Sequence, residues 1–430
     1  DDSLVNDSYP RAGPGTLQVG SPPTLKVRFI PITLGVHNNT TPTIGGNEIT
    51  EYLLTMKSVL PMGQITTAVG SAYTTQQSFG SGTTGGGTAF FSAVLAELDA
   101  ARVAAAGSGG DPAEHWYGVI APPTGFNFTQ VGGIAYLGNP PLNFQHTALG
   151  IRVGWFANVT QARDIFAHEL SHNFGRRHSP CGNPAGPDPG YPFPTGLIGA
   201  NMWNVYAWNG LQQTQLQLIP ASSGDLLGYC WPQWGRVYTY TNVLSARIFT
   251  PAGPAVSESI GTDLVVIQGS VTGSTTSLLP ALAFRGAATP SDPNGEFRLE
   301  GYDDAGTLIV ERRFTPAAID HVPDTRAFTV ALPRNATTQR IARVRVVGPG
   351  TFAWMDAGAS AAAPTVQRGA NGRVLVNCGA PARLAVQDET TGQLLAISST
   401  GSIALAPRNS SVSVSCALGA RPARTRMELK

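Results

Sequence analysis

The order of apolar and polar residues over the first 160 positions predicts both strands and helices. Residues 26–34 (KVRFIPITL) alternate in polarity and are rich in β-branched side chains, which predicts a strand, and Pro31 favours an edge or a bulge there. Residues 47–60 carry apolar side chains at helical spacing and stop before Pro61, and the Ala- and Leu-rich residues 89–106 predict a second helix. Further apolar segments predict strands at 115–121, 132–137 and 149–156.

The pattern changes after about residue 245, where short alternating segments are separated by turn-forming residues. Asp292-Pro293-Asn294-Gly295 and Asp303-Asp304-Ala305-Gly306 predict hairpin turns between such segments, an arrangement typical of a β-sandwich. An Ala-, Gly- and Pro-rich joint near 357–364 precedes another strand-rich piece. We therefore predict an extended lead-in at 1–24, a main domain at 25–244, a β-sandwich module at 245–357 and a small β-rich module with a disulfide at 358–430.

The charge balance and composition narrow the class of protein. Lys and Arg number 28 and Asp and Glu 27, without a strong charge run, so we expect no nucleic-acid partner and no attraction to an acidic membrane surface. Only 13% of the residues are charged, whereas Gly numbers 50 and Pro 33, a balance typical of strand-rich extracellular proteins. The sequence shows no basic segment followed by an apolar one at its start and no apolar segment long enough to span a bilayer, so we expect an already processed, soluble protein. We also expect a monomer.

The four cysteines fall into two separated pairs, Cys181 with Cys230 and Cys378 with Cys416, each local to one predicted domain. This distribution favours two disulfides in an oxidising compartment, and hence secretion. A four-cysteine metal site would show Cys-x-x-Cys clusters, which the sequence lacks.

Side chains that can bind a metal or transfer a proton are concentrated at residues 167–182 (AHELSHNFGRRHSPCG). His168 and His172 are four residues apart, so on a helix they lie on one face and can direct their imidazoles at one ion. Glu169 can accept a proton from a water on that ion. Gly175 allows a left-handed helix end, after which the chain can return with His178 as third ligand. Three histidines and an open position are the ligand set of a catalytic zinc. The remaining histidines are taken as structural or solvated: His37, His115, His146 and His321.

The spacing His168-Glu169-x-x-His172-x-x-Gly175-x-x-His178 resembles the zinc signature of the metzincin clan of metalloproteases. Metzincins place a methionine-containing turn beneath the zinc, and two segments are candidates for it. One contains Met202, whose alternative role is to fill a gap in the core. The other is Asp225-Leu226-Leu227-Gly228-Tyr229-Cys230, which resembles the Asp-Leu-Met-Ser-Tyr-Cys segment of a group of secreted bacterial metzincin-like proteases with C-terminal β-sandwich modules.

We prefer the second segment, although Leu227 then stands where that group has Met. This departure concerns packing under the metal and leaves the ligands unchanged, because Leu and Met are close in volume. The same group is similar to this chain at three further places: Pro180-Cys181-Gly182, Trp231-Pro232-Gln233-Trp234 and Tyr238-Thr239-Tyr240.

The resemblance implies an α+β metzincin-like catalytic domain, with a mixed twisted sheet over an active-site helix, followed by all-β sandwich modules. It implies a Zn²⁺-dependent endopeptidase that hydrolyses extracellular proteins or peptides, with Glu169 as general base and Tyr229 helping the metal to stabilise the oxyanion. The strand at 132–137 is expected either to pair with an extended substrate or to be an ordinary core strand.

Other functions remain open or are excluded by the residues. The alternative is a secreted binding or adhesion protein with an inactive zinc domain and working β-sandwich modules, and the intact Glu169 counts against it. A serine hydrolase is excluded because the chain has no Gly-x-Ser-x-Gly elbow. The aspartates of the two predicted turns are able to bind Ca²⁺, but solvated turn residues are more common, so calcium is not indicated.

Overall fold

The computed structural model describes residues 22–37, 40–79, 87–123, 131–140, 145–154, 159–199, 201–204, 217–248, 261–368, 373–379, 381–406 and 411–428. Most of the predicted lead-in therefore lies outside the described residues. Strands make up 41% of the structure and helices 18%. The protein is mostly β, and the expected α+β metzincin-like fold is wrong.

Several elements in the first 160 residues nevertheless lie close to their predicted positions.

The described residues contain the helices α1 (Gly46–Val59), α2 (Thr88–Ala106), α3 (Val159–Asn173) and α4 (Val237–Ile248). The earlier strands are β1 (Leu25–Leu34), β2 (Ile65–Val69), β3 (Tyr73–Thr75), β4 (His115–Ile120), β5 (Gly133–Leu137), β6 (Thr147–Ile151), β7 (Met202–Asn204), β8 (Gln217–Ile219), β9 (Gly224–Asp225) and β10 (Gln233–Trp234).

The later part of the described chain is built from strands. These are β11 (Thr262–Thr272), β12 (Thr275–Gly286), β13 (Phe297–Tyr302), β14 (Leu308–Phe314), β15 (Ala317–Ile319), β16 (Thr325–Pro333), β17 (Arg343–Gly348), β18 (Thr351–Asp356), β19 (Thr365–Arg368), β20 (Val374–Asn377), β21 (Arg383–Asp388), β22 (Leu394–Ser398), β23 (Ser402–Leu405), β24 (Ser411–Ala417) and β25 (Ala423–Glu428).

Strand β1 lies inside a sheet rather than at its edge. It pairs in parallel with β4 on one side, and with β2 and then β3 on the other. Pro31 has no N–H to donate, and it falls in the gap between these two short strands. Gly70 N donates to Phe29 O just before the gap, and pairing resumes at Ile32. The expected edge or bulge at Pro31 is wrong, because β1 is paired on both sides without a register shift and Pro31 lies where its neighbour on one side is interrupted.

One fourteen-stranded sheet combines strands from both halves of the chain. Its order is β12-β11-β16-β15-β5-β6-β4-β1-β3-β22-β21-β24-β25, and β2 pairs with β1 beside this path. The late strand β15 pairs antiparallel with β5, and the late strand β22 pairs in parallel with β3. The α+β prediction failed because both free edges of the early sheet take up distant strands, which a local pattern cannot specify.

Helices cover both faces of the early strands. Alternate side chains of β1 point to opposite faces: Ile32 lies in the core under α2, and Phe29 lies in the core under α1 and α3. Phe29 stacks on Phe166 of α3, with ring centroids 5.4 Å apart. This packing holds α3, and with it residues 168–172, against the sheet.

The later strands pack around two further cores. The sheet β14-β13-β17-β18 faces β11 and β16 across a core that includes Phe297 and Phe328. Residues 303–306 join β13 to β14 as the predicted hairpin turn. The turn at 292–295 connects β12 with β13, which lie in different sheets, so the hairpin predicted there is wrong.

Both predicted disulfides are present. Cys181 is bonded to Cys230, and Cys378, just after β20, is bonded to Cys416 of β24. Among the helices of the described ranges, none has the length and apolar character needed to cross a membrane.

Candidate metal centre

The end of α3 presents two of the predicted ligands and then reverses the chain. Gly175 adopts φ +83° and donates its N–H to His172 O at 2.8 Å, which satisfies a terminal helix carbonyl. A Cβ on Gly175 would lie 2.5 Å from Cδ of Pro140. Glycine is therefore required both by the backbone conformation and by the space, and the reversal brings His178 back towards the helix.

Each predicted ligand is held at Nδ1 by a backbone carbonyl. The distances are 2.8 Å from His168 to Leu226 O, 2.5 Å from His172 to Arg176 O and 2.8 Å from His178 to Ala185 O. A carbonyl only accepts, so Nδ1 of each ring carries the proton and Nε2 keeps its lone pair. Metal-binding histidines are oriented by the same kind of contact.

The three rings converge in a buried space. Their centroids are 4.8 Å apart for His168 and His172, 5.2 Å for His168 and His178, and 4.7 Å for His172 and His178. Nε2 of His168 and Nε2 of His172 are buried without a hydrogen-bond partner. Burial lowers the pKa of all three rings, that of His178 to about 4, so the rings are neutral near pH 7.

The carboxyl group of Glu169 lies between α3 and β5. Glu169 is 2% exposed, and a Cβ built on Gly133 of β5 would lie 2.6 Å from Oε1 of Glu169. The absence of a side chain at Gly133 thus makes room for this carboxyl. Burial, with the neighbouring Asp320 carboxyl, raises the pKa of Glu169 well above its usual range, which suits a group that must hold and return a proton.

The segment 225–230 lies beside the rings. Leu226 holds His168, and Leu227, which is 2% exposed, accepts a hydrogen bond from Ser179 N at 3.0 Å. The carboxylate of Asp225 accepts the N–H of Leu227 at 2.9 Å and shapes this turn. The other candidate, Met202, lies in β7, which pairs with β8. Of the two candidate segments, the one that contains Leu227 therefore contacts His168, through the carbonyl of Leu226.

Two residues outside the predicted ligand set complete the cluster: Asp320, and His321, which the sequence analysis took as structural or solvated. Asp320 and His321 follow β15, and Oδ2 of Asp320 lies 3.6 Å from Nε2 of His172 and 3.0 Å from Nε2 of His321. The hydroxyl of Tyr229 lies 2.5 Å from Nδ1 of His321 and 3.3 Å from Nε2 of His178.

The ligand atoms form two overlapping groups, each within 4.8 Å. One contains His168, His178, Asp320 and His321, and the other contains Glu169, His172 and Asp320. The predicted histidines thus divide between two adjacent groups that share Asp320. No spacing rule links residue 320 to α3, because the connection is made by the pairing of β15 with β5. The only local signal was an Asp-His dipeptide outside any motif.

The remaining histidines lie away from this cluster. His115 is buried and His146 is half-buried, their ring centroids are 4.7 Å apart, and His115 contacts Asn173. Nε2 of His37 accepts the N–H of Phe79. These contacts agree with a structural role.

The cluster fits a zinc ion. Two ligands of one tetrahedral zinc lie about 3.4 Å apart, given bonds near 2.1 Å, and the observed separation of Nε2 of His172 and Oδ2 of Asp320 is 3.6 Å. Nε2 of His168 and Nε2 of His172 are buried without a hydrogen-bond partner. Such atoms are costly unless a cation satisfies them, and imidazole with carboxylate is a donor set that zinc accepts.

No protein-family model and no curated protein matches the chain. Among solved structures, the BSP domain of a biofilm-associated protein is similar at 10% identity and a TM-score of 0.14, over 38% of this chain and 29% of that one. Bovine butyrophilin is similar at 10% identity and a TM-score of 0.13, over 37% of this chain and 93% of that one. The chain spans less than a third of the first of these, and both similarities are too low to support a common fold or function.

Proposed function

We propose that the protein is a secreted, zinc-dependent endopeptidase with a metzincin-type metal site, in which His168, His172 and His178 hold the zinc. The observation that carries the proposal is the backbone carbonyl that each of the three rings contacts through Nδ1. Each Nδ1 lies 2.5–2.8 Å from a backbone carbonyl that only accepts, the ring centroids are 4.7–5.2 Å apart, and Nε2 of His168 and of His172 have no hydrogen-bond partner. The two disulfides support a location outside the cytosol.

The chemistry then divides among a few groups. Bound zinc supplies a Lewis acid that lowers the pKa of a water and polarises the scissile carbonyl. Glu169 takes a proton from the attacking water and returns it to the leaving amine. The hydroxyl of Tyr229 donates to the carbonyl oxygen as negative charge develops on it.

Strand β5 is the proposed binding edge for a protein or peptide substrate. It borders the catalytic carboxyl through Gly133, and its antiparallel neighbour on one side is β6. An extended peptide that replaces β15 on the opposite side of β5 would run past Glu169, which is binding by strand addition.

A binding or adhesion protein with an inactive zinc site remains the second candidate. Its support comes from Asp320, because a zinc with four protein ligands is the arrangement of structural sites. The peptidase is favoured by Glu169, since a buried carboxyl has no use in a structural site and destabilises the fold there.

The test is hydrolysis of a quenched fluorescent peptide library by zinc-loaded protein that carries Asp320→Asn, which removes the carboxylate charge 3.6 Å from Nε2 of His172. We expect hydrolysis that falls roughly 10²- to 10⁴-fold when Glu169→Gln is added, with zinc retained. Glu311→Gln, an exposed exchange on β14, is the matched control and is expected to change nothing. Zinc-loaded protein without hydrolysis, or full activity with Glu169→Gln, would overturn the proposal in favour of the second candidate.

A further inference from the structure

We propose that Asp320 is an additional ligand of the metal and that residues 317–322 fill the substrate path, so that the chain keeps its own site closed. This inference rests on the proposed function, because it requires a metal at the three histidines. Four observations support it.

The first is the pairing of β15 with the proposed binding edge. Ala318 lies opposite Leu137 and Ile319 opposite Tyr136, in antiparallel register. Asp320 N then donates to Ala135 O at 3.2 Å. Because β6 occupies the other side of β5, a substrate strand and β15 compete for the same backbone groups.

The second is the position of the Asp320 carboxyl. Its Oδ1 accepts the N–H of Ala135 at 2.5 Å, which leaves Oδ2 directed at the histidines, 3.6 Å from Nε2 of His172. The side chain is 2% exposed, and Oδ2 also lies 3.0 Å from Nε2 of His321. A carboxylate oxygen so placed occupies a ligand position that a catalytic zinc leaves to water.

The third concerns the groups assigned to catalysis. The carboxyl of Glu169 lies within 4.8 Å of the Asp320 carboxyl. The hydroxyl of Tyr229 contacts His321 at 2.5 Å. In the proposed mechanism Glu169 faces a water and Tyr229 faces the carbonyl oxygen of the substrate. Here the two side chains face Asp320 and His321 instead.

The fourth is the backbone of the segment. His321 and Asp324 adopt φ +57° and +63°, a left-handed region that side chains with a Cβ rarely enter. Such conformations persist where surrounding contacts impose them, and they are concentrated at ligand clamps and switches. The segment also borders a cleft of about 360 Å³ whose lining includes His172, His178 and Arg177, so this cleft reaches two of the proposed ligands.

The test uses Co²⁺ in the full-length protein as a spectroscopic probe, with acetohydroxamate as a ligand for any open position. Asp320→Asn keeps an oxygen to accept the Ala135 N–H and removes the charge, and Asp320→Ala removes both. Asp324→Asn is the control, because it changes an exposed carboxylate in the same turn. We expect both Asp320 variants to alter the visible cobalt bands and to bind acetohydroxamate about tenfold more tightly or better, and Asp324→Asn to match the wild type.

Identical bands and equal acetohydroxamate affinity in wild type and Asp320→Asn would overturn the inference and leave the three-histidine site standing. A wild type that binds no Co²⁺ would overturn both the inference and the proposed function. Opened Asp320 variants that hydrolyse no peptide would uphold the inference and contradict the peptidase alone. If Asp320→Ala fails to fold, the cobalt bands and acetohydroxamate affinity of Asp320→Asn alone test the inference.

Discussion

Nδ1 of His168 lies 2.8 Å from the carbonyl oxygen of Leu226. This contact joins the first ligand on α3 to a turn 58 residues later in the chain, and it determines which nitrogen of the ring is free. The same turn accepts a hydrogen bond from Ser179, next to His178. Ligand geometry therefore depends on how firmly the segment 225–230 is held.

The Cys181–Cys230 disulfide is expected to hold that segment. The double variant Cys181→Ser/Cys230→Ser should release zinc to a chelator at least several times faster than the wild type, because both ends of the bond adjoin ligand-supporting residues. The matched control is Cys378→Ser/Cys416→Ser. The two bonds separate their partners by 49 and 38 residues, so chain entropy assigns each a similar stabilisation of about 4 kcal/mol. Equal zinc release from the two double variants would contradict the assigned role.

Gly175→Ala is expected to destabilise the protein more than an ordinary left-handed glycine does. The control is Gly306→Ala, since Gly306 has a similar φ of +78° but no atom within 4 Å of a built Cβ, whereas Gly175 meets Pro140. The conformational cost of roughly 1–2 kcal/mol is common to both. Urea unfolding should show a clearly larger loss for Gly175→Ala, accompanied by weaker zinc binding, and equal losses would argue against the close packing.

The residues at 168–178 could be predicted from the sequence because all three proposed ligands and the turn between them lie within eleven positions. Helix periodicity and the conformational freedom of Gly175 are local properties. Asp320 could not be predicted, since its contact with Ala135 spans 185 residues. The same limit explains the wrong fold class: strands β1, β4, β5 and β6 are locally evident, but the partners of the sheet edges are not.

The buried Glu97 is expected to make stability depend on pH. Burial raises its pKa from 4.5 to about 7, although Gln77 and Tyr73 donate hydrogen bonds to it. The folded state therefore holds this proton more tightly than the unfolded state. Its stabilising effect is complete below pH 4.5 and is lost as the pH rises through about 7, a change of roughly 3 kcal/mol at most.

Glu97→Gln should remove this part of the pH dependence. We expect the variant to be more stable than the wild type at pH 8 and similar to it at pH 5, as measured by urea unfolding of metal-free protein. A difference between the two proteins that does not change with pH would contradict the assignment.

The most direct test of the three-histidine site is anomalous X-ray scattering at the zinc edge from crystals of the zinc-loaded, full-length protein. The account predicts one zinc per chain, about 2.0–2.1 Å from Nε2 of each of His168, His172 and His178. Fully zinc-loaded protein with no anomalous peak among these three rings, or with its zinc at other residues, would contradict it.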